Sequence, residues 1–348
     1  MRTPEVDAAA VESLLHAAVA APSMHNTQPW RFGMAADTRA IHVRVDRARR
    51  LPLSDPGLRA QHLSVGAAVF NLRVAAAHLG WDPDVRLLPD PADPDLLATV
   101  RLGAATADAR SSYGDLYDAV TRRHTSRMPF TGRPVPEHIV TEMAAAARAE
   151  GGHLDVPDVV GTRRLLRLTA LAEARNAADP ARTAEARRWI TAADAPTPYG
   201  IPLTSLGARD LTGRMPMRDF TGPLRGPRPP VPSPPVLRFE RHAQVALLWT
   251  PQDRPADWLR AGQALERALL VATRHGVRTS MLHQAMEWPD LRAAMGAPGR
   301  RCSPHLLIRF GYGPEGGRTP RASADAAAAR RGTRNRRPAA PARPAEPT

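Results

Sequence analysis

Two stretches of this 348-residue chain align without a gap: Gly66-Ala-Ala-Val-Phe-Asn-Leu-Arg-Val-Ala-Ala-Ala-His-Leu-Gly80 and Gly262-Gln-Ala-Leu-Glu-Arg-Ala-Leu-Leu-Val-Ala-Thr-Arg-His-Gly276. Each begins and ends on glycine and places small or apolar residues on the same helical face. Each is followed by residues able to start a strand or loop. Two unrelated amphipathic helices can agree this well by chance, so the repeat constrains the fold only together with other signals. The chain is long enough for two domain-sized cores or one large one.

Composition narrows the class. The apolar fraction is 43%, near that of soluble globular chains, and no uninterrupted apolar stretch of about 18 residues suggests a membrane span. The apolar run at 14–21 follows Asp7 and Glu12, with Arg2 the only basic residue before it, which argues against a signal peptide. Cys302 is the single cysteine; no intrachain disulfide can form, which fits a reducing compartment and predicts a cytoplasmic protein. The formal charge is +14, and all 48 basic side chains are arginine. Replacement of every lysine, with abundant Ala and Pro, points to a GC-rich genome. Arginine also binds phosphate through its fork, so a nucleic-acid reading stays open. Much of the excess lies in 322–348, where Arg330, Arg331, Arg334, Arg336, Arg337 and Arg343 stand among Ala, Pro and Gly. Such a segment cannot bury a core and reads as a disordered basic tail.

Helical periodicity predicts helices at 5–20, 57–79, 136–149, 159–178, 180–192 and 256–275. Strand-like stretches occur near 31, at 41–45, 85–88, 99–102, 244–250 and 305–310. Helices and strands are interspersed, so the class is α+β or α/β. Between them, 196–238 is Pro-rich and almost without periodicity; a connection this long reads as a functional cover or a linker. Met215, Met217, Phe220 and Leu224 give it apolar anchors and favour a docked cover.

Two short motifs carry chemistry. The run Ala21-Pro22-Ser23-Met24-His25-Asn26-Thr27-Gln28-Pro29-Trp30 cannot continue the preceding helix. It forms a turn whose amides and hydroxyls offer donors and acceptors to a planar polar ligand. The second, Thr121-Arg-Arg-His-Thr-Ser-Arg127, gathers three arginines and two hydroxyls within six positions, a group suited to a phosphate monoester or another anion. An exposed basic loop is the plainer account of it taken alone. Gly311-Tyr-Gly-Pro-Glu-Gly316 satisfies G-x-G-x-x-G, but Pro314, the following Gly-Arg-Thr-Pro and the basic tail supply neither a helix start nor an acidic residue ending a second strand, so no dinucleotide site is expected there. The histidines show no metal-binding spacing.

The Pro-Ser-x-x-Asn-x-Gln-Pro-Trp turn resembles the signature of the FMN-dependent nitroreductase family, and the arginine cluster is similar to that family's phosphate- and ring-edge element. Further stretches, among them Asp55-Pro-Gly-Leu-Arg59, Arg127-Met-Pro-Phe-Thr-Gly-Arg133, Arg218-Asp-Phe220, Glu287-Trp-Pro-Asp-Leu-Arg292 and Leu307-Ile-Arg-Phe-Gly-Tyr-Gly313, look like the Acg branch. The likeness runs over about 11–321. It implies an α+β nitroreductase-like fold with two pseudo-symmetric halves fused in one chain, 1–110 and 111–321, and 196–238 as a lid. Each motif occurs once: 1–4 carry no arginine cluster, and 150–154 carry no Asn-x-Gln-Pro-Trp turn. Family members are usually homodimers whose two elements reach one flavin from opposite subunits. A fused pair with one copy of each implies one FMN per chain, held in a monomer.

By the resemblance, Arg123, Thr125 and Arg127 hold the phosphate and ring edge. Pro22, Ser23, Asn26 and Gln28 form the turn across the interface. Leu282, His283 and Gln284 bring backbone groups near the flavin, and Arg318 and Arg321 supply further cations. The implied chemistry is hydride transfer at flavin N5, with Arg127 stabilising the negative charge of the reduced ring; no protein nucleophile is needed. Three readings follow: an oxidoreductase using NAD(P)H and an electron-poor small molecule, a lidded FMN-sequestering protein, and an arginine-rich nucleic-acid binder.

Overall fold

The computed structural model describes residues 6–35, 39–104, 113–220, 234–296, 299 and 302–328. In chain order they form α1 (Ala8–Val19), β1 (Trp30–Met34), β2 (Ala40–Val45), α2 (Arg59–His78), β3 (Trp81–Leu87) and β4 (Leu96–Ala104), then α3 (Tyr117–Arg122), α4 (Glu137–Ala149) and β5 (His153–Asp155). There follow α5 (Val159–Ala178), α6 (Pro180–Arg187), the two-residue strands β6 (Ile190–Thr191), β7 (Ile201–Pro202), β8 (Arg209–Asp210) and β9 (Val236–Leu237), and β10 (Gln244–Thr250). The chain continues through α7 (Pro255–Arg274), β11 (Arg278–Leu282), α8 (Pro289–Met295), β12 (Ser303–Gly311) and α9 (Ala324–Ala327).

Helix starts follow local chemistry. Asp7 caps α1 by accepting from the Ala10 N–H at 2.8 Å, and Asp158 caps α5 through Gly161. Pro180 and Pro255 occupy first turns, where the missing N–H costs nothing. The expected helix over 180–192 stops at Arg187 because the chain turns there to pair: the Ile201 N–H donates to the Trp189 carbonyl at 2.7 Å, and Ile190 lies beside Ile201 in a parallel ladder.

The architecture is α+β and repeats itself. Two four-stranded antiparallel sheets have the orders β1-β2-β4-β3 and β11-β12-β10-β5. In each, a helix precedes the first strand, a second helix joins the second strand to the third, and the fourth strand lies between the second and third. The units are therefore α1-β1-β2-α2-β3-β4 and α4-β5-β10-α7-β11-β12. The second carries a long insertion, 156–243, between its first two strands.

The two internal helices of the sequence repeat, α2 and α7, pack on each other at their equivalent glycines. A Cβ on Gly66 would lie 2.2 Å from the Leu259 carbonyl oxygen, and one on Gly262 would lie 2.1 Å from that of Leu63. The contact is reciprocal, since Leu63 and Leu259 each stand three residues before their own glycine. Only two bare backbones can approach this closely. One continuous apolar core results, running from Leu14 and Trp30 through Phe70, Leu259 and Leu269 to Ile308 and Phe310. Residues 322–328, assigned by composition to the basic tail, instead join this core: α9 packs on α1 and buries Ala327. The remainder of the expected tail lies outside the described residues. No helix among the described residues is long and apolar enough to cross a membrane.

Candidate functional site

Where the turn after α1 meets β11, the first turns of α2, the middle of α7, and the insertion, a cavity opens. Leu63, Leu265, Met281, Leu282 and Leu306 form much of its wall, and Ile201, Met217 and Phe220 close it from the insertion. The polar groups are few: Ser23 and His25 from the turn, Ser64 of α2, Thr125 and Arg127, Arg218, and residues 280–284 at the end of β11.

Seven of the residues expected at the site therefore meet in one place: Pro22, Ser23, Thr125, Arg127, Leu282, His283 and Gln284. The arginine-cluster segment reaches the cavity by lying beside β11, with Thr125 bridging Thr279 and the Ser126 N–H donating to the Thr279 carbonyl at 2.9 Å. The described part of the expected lid, 196–220, supplies part of the wall; 221–233 lie outside the described residues.

The other five expected residues do not line the cavity. Asn26 donates to the carbonyls of Gly200 at 2.8 Å and Pro320 at 3.0 Å, and accepts from Arg321 at 2.9 Å. Gln28, fully buried, donates to the Pro198 carbonyl at 2.5 Å and accepts from the Ala322 N–H at 2.9 Å. These grips explain a turn with three non-glycine residues in the left-handed region, His25 (φ 52°), Asn26 (φ 56°) and Gln28 (φ 49°), a conformation that surrounding contacts must enforce. Asn26 and Gln28 thus shape the turn, while Pro22, Ser23 and His25 face the cavity.

Arg123 is also turned inward. It donates to the Ala20 carbonyl at 3.0 Å, and its Nε lies 3.4 Å from Glu266 Oε1. Burial pushes the Glu266 carboxyl up to about 7 against the pull of Arg123. Arg321 sits behind the turn, bonded to Asn26 and to Thr319 Oγ1, and burial followed by the neighbouring Arg123 brings its pKa down to about 9. Arg318 is about half exposed, 3.6 Å from Glu315.

Arg127 stands apart from these. Its guanidinium donates to the Ser205 carbonyl at 3.0 Å, and among the described residues no carboxylate pairs with it. Burial lowers its pKa to about 10, still far above neutral pH, so it remains a cation. The insertion wraps its stem: Gly207 has φ 85°, and a Cβ there would lie 2.4 Å from Arg127 Cβ. Around Arg218 charges are balanced. Arg218 is bonded to Glu287, which also accepts from Asn176 and Arg182 at 3.1 and 3.3 Å. Burial would raise the Glu287 carboxyl, but Arg218 and His283 beside it hold it at about 2. His283 Nε2 lies 3.0 Å from Arg59, which also donates to the His305 carbonyl.

The sequence reading did not single out His25, Ser64 or Ser280. His25 lay inside the recognised turn, but nothing in its residue type shows which side chains of a turn face inward. His25 Nε2 and Ser280 Oγ are buried without a hydrogen-bond partner among the described residues, in a cavity able to hold a ligand.

The model of the Nitroreductase family matches residues 1–54 of this chain. The Mycobacterium tuberculosis protein "Putative NAD(P)H nitroreductase Rv3131" is 32% identical over 317 residues, covering 90% of this chain and 88% of its own length. A second protein of that organism, "Putative NAD(P)H nitroreductase acg", is 29% identical over 307 residues, 88% of this chain and 89% of its own. A crystal structure from Anabaena variabilis, described as a nitroreductase, covers 90% of each chain at 12% identity with a TM-score of 0.47. On the length and identity of the mycobacterial matches, the chain belongs to the nitroreductase family and is of the Acg type.

Proposed function

We propose that the cavity binds FMN, one per chain, and that the protein is an oxidoreductase transferring electrons from NAD(P)H to an electron-poor small molecule. The observation that carries this reading is Arg127: a partly buried cation with no carboxylate partner among the described residues, on the wall of a cavity lined largely by apolar side chains. Such a charge is costly unless an anion completes it. The fit to FMN rests on this cation and the buried unpartnered hydroxyl of Ser280. It also rests on the Leu63, Met281 and Leu306 walls, suited to the faces of a planar ring.

Bound there, FMN supplies hydride-transfer chemistry. Arg127 would stabilise its negative charge, Ser23 and Thr125 would offer hydroxyls, and the backbone at 282–284 would border the ring. Arg123 acts one step removed, holding the Ala20 carbonyl just before Pro22.

The count of one follows from how the repeat is broken. Ten residues, 20–29, join α1 to β1, and four of them line the cavity. Their counterpart between α4 and β5 is three residues, 150–152. Gly152 there packs so closely that a Cβ would lie 2.6 Å from Ala264 Cβ. Glu150 is held by Arg73 and by Arg267 at 2.7 Å. The equivalent position in the second unit has no counterpart of the turn among the described residues. Both motifs come from one chain, so a monomer suffices. We place the boundary between the units near 110, outside the described residues.

The wall contributed by Ile201, Met217 and Phe220 favours a second reading, a sequestering protein whose flavin does not meet a donor. Anaerobic mixing of the flavin-loaded protein with NADPH separates the two. Bleaching of the flavin absorbance is the expected result; a persistently oxidised spectrum with both NADPH and NADH would leave only sequestration.

A further inference from the structure

His25 occupies an unusual position. It is 7% exposed, lines the cavity, and its backbone is held in the left-handed region at φ 52°. Its ring meets Phe220 of the insertion edge to face, centroids 5.4 Å apart. Its Nε2 is buried with no hydrogen-bond partner among the described residues. An unpaired buried ring nitrogen is costly, and a strained backbone that aims it into a cavity points to a ligand atom.

The surroundings define that atom. Arg127, which pairs with no carboxylate among the described residues, marks where an anion is taken. His25 lies against Phe220, in a part of the wall where Arg218 is already neutralised by Glu287 and Met217 is apolar. Burial first, then Arg218, keeps the imidazole pKa well below its ordinary value, with Glu287 opposing and His283 and Arg127 adding to the effect. A neutral ring can present one N–H donor.

Resting on the FMN reading above, we propose that His25 forms the electron-acceptor subsite: its Nε2–H donates to an oxygen of an uncharged planar acceptor, a quinone carbonyl or a nitro group, held against Phe220. In the overall reaction a quinone takes a hydride equivalent from NAD(P)H and a proton from water, giving hydroquinone and NAD(P)+. His25 supplies no proton, because a neutral imidazole that gave one up would be left as an imidazolate. It stabilises the negative charge that develops on the oxygen, as a preorganised donor does in a dry site.

Two substitutions compatible with the turn test this. Asparagine tolerates the left-handed region but is too short to place its amide where Nε2 stands. Glutamine reaches further and is already accommodated at φ 49° as Gln28. With an uncharged benzoquinone as acceptor and NADPH as donor, His25→Asn is expected to lower kcat/KM about 10- to 100-fold. His25→Gln should recover most of the loss, and both variants should keep the wild-type flavin content and Tm. An unchanged kcat/KM in His25→Asn overturns the inference. So does a parallel loss of bound flavin in His25→Asn, which would assign the ring nitrogen to the cofactor. Wild-type protein that binds no flavin removes the parent reading, and this inference with it.

Discussion

Arg127→Ala is expected to weaken FMN binding about 10- to 150-fold while leaving the flavin-free protein as stable as wild type, or more so. A charge-assisted hydrogen bond to an anion contributes roughly 1.5–3 kcal/mol, and among the described residues the Arg127 guanidinium donates only to a carbonyl, that of Ser205. The opposite signs distinguish this from a structural role. Removing a partly buried cation that has no carboxylate partner among the described residues relieves a desolvation cost in the empty protein, whereas removing a packing residue lowers Tm whether or not flavin is present. Arg127→Lys restores the charge but not the planar fork, so only part of the affinity returns. Fluorescence titration of apoprotein with FMN, with Tm measured in parallel, checks both halves. Unchanged affinity would remove Arg127 from the site.

Gly66→Val is expected to destabilise the protein by at least about 3 kcal/mol and to release flavin with it. Replacing a helical glycine ordinarily gains helix propensity of up to about 1 kcal/mol, so the sign depends on sterics. Here the nearest atom to a new Cβ is the Leu259 backbone carbonyl at 2.2 Å, with the Gly262 Cα at 3.0 Å, and neither can swing aside as a side-chain end could. The two helices must separate, and the core between the two sheets opens with them. Gly262→Val repeats the clash from the other side. At Gly57, where a Cβ would meet nothing within 4 Å, substitution by alanine should cost less than about 0.5 kcal/mol. A Gly66→Val Tm within a degree of wild type would show that the helix crossing is looser than described.

How far the fold could be read in advance depended on local periodicity. The helix at 159–178 and the strand at 244–250 came out at their observed bounds, because each is a long regular pattern with a clear start. The gap-free match of Gly66 to Gly262 named the helix pair, yet not that the matched glycines touch. That is a tertiary fact with no trace in either stretch alone. The strand expected at 85–88 begins earlier, at Trp81, because β3 pairs with β4 as far as Trp81 beside Ala104, and Pro83 hides the alternation.

The site was legible by motif but not by direction. Both motifs reach the cavity, yet Asn26, Gln28 and Arg123 turn away from it, to Gly200, Ala322 and Glu266. Their types fit a ligand role as well as an anchoring one. The choice is made by three positive φ angles and by partners more than a hundred residues distant, neither of which composition or spacing encodes. Arg127 differs from Arg123, four positions earlier, in lacking a carboxylate partner among the described residues, and that contrast exists only in the fold.

A single anion-completed flavin site per chain is tested most directly by a count. Protein saturated with FMN, freed of excess by gel filtration and assayed for flavin and polypeptide, should carry close to one FMN per chain. A ratio near two would contradict the loss of the second turn at 150–152, and a ratio near zero would contradict the reading of the Arg127 cavity.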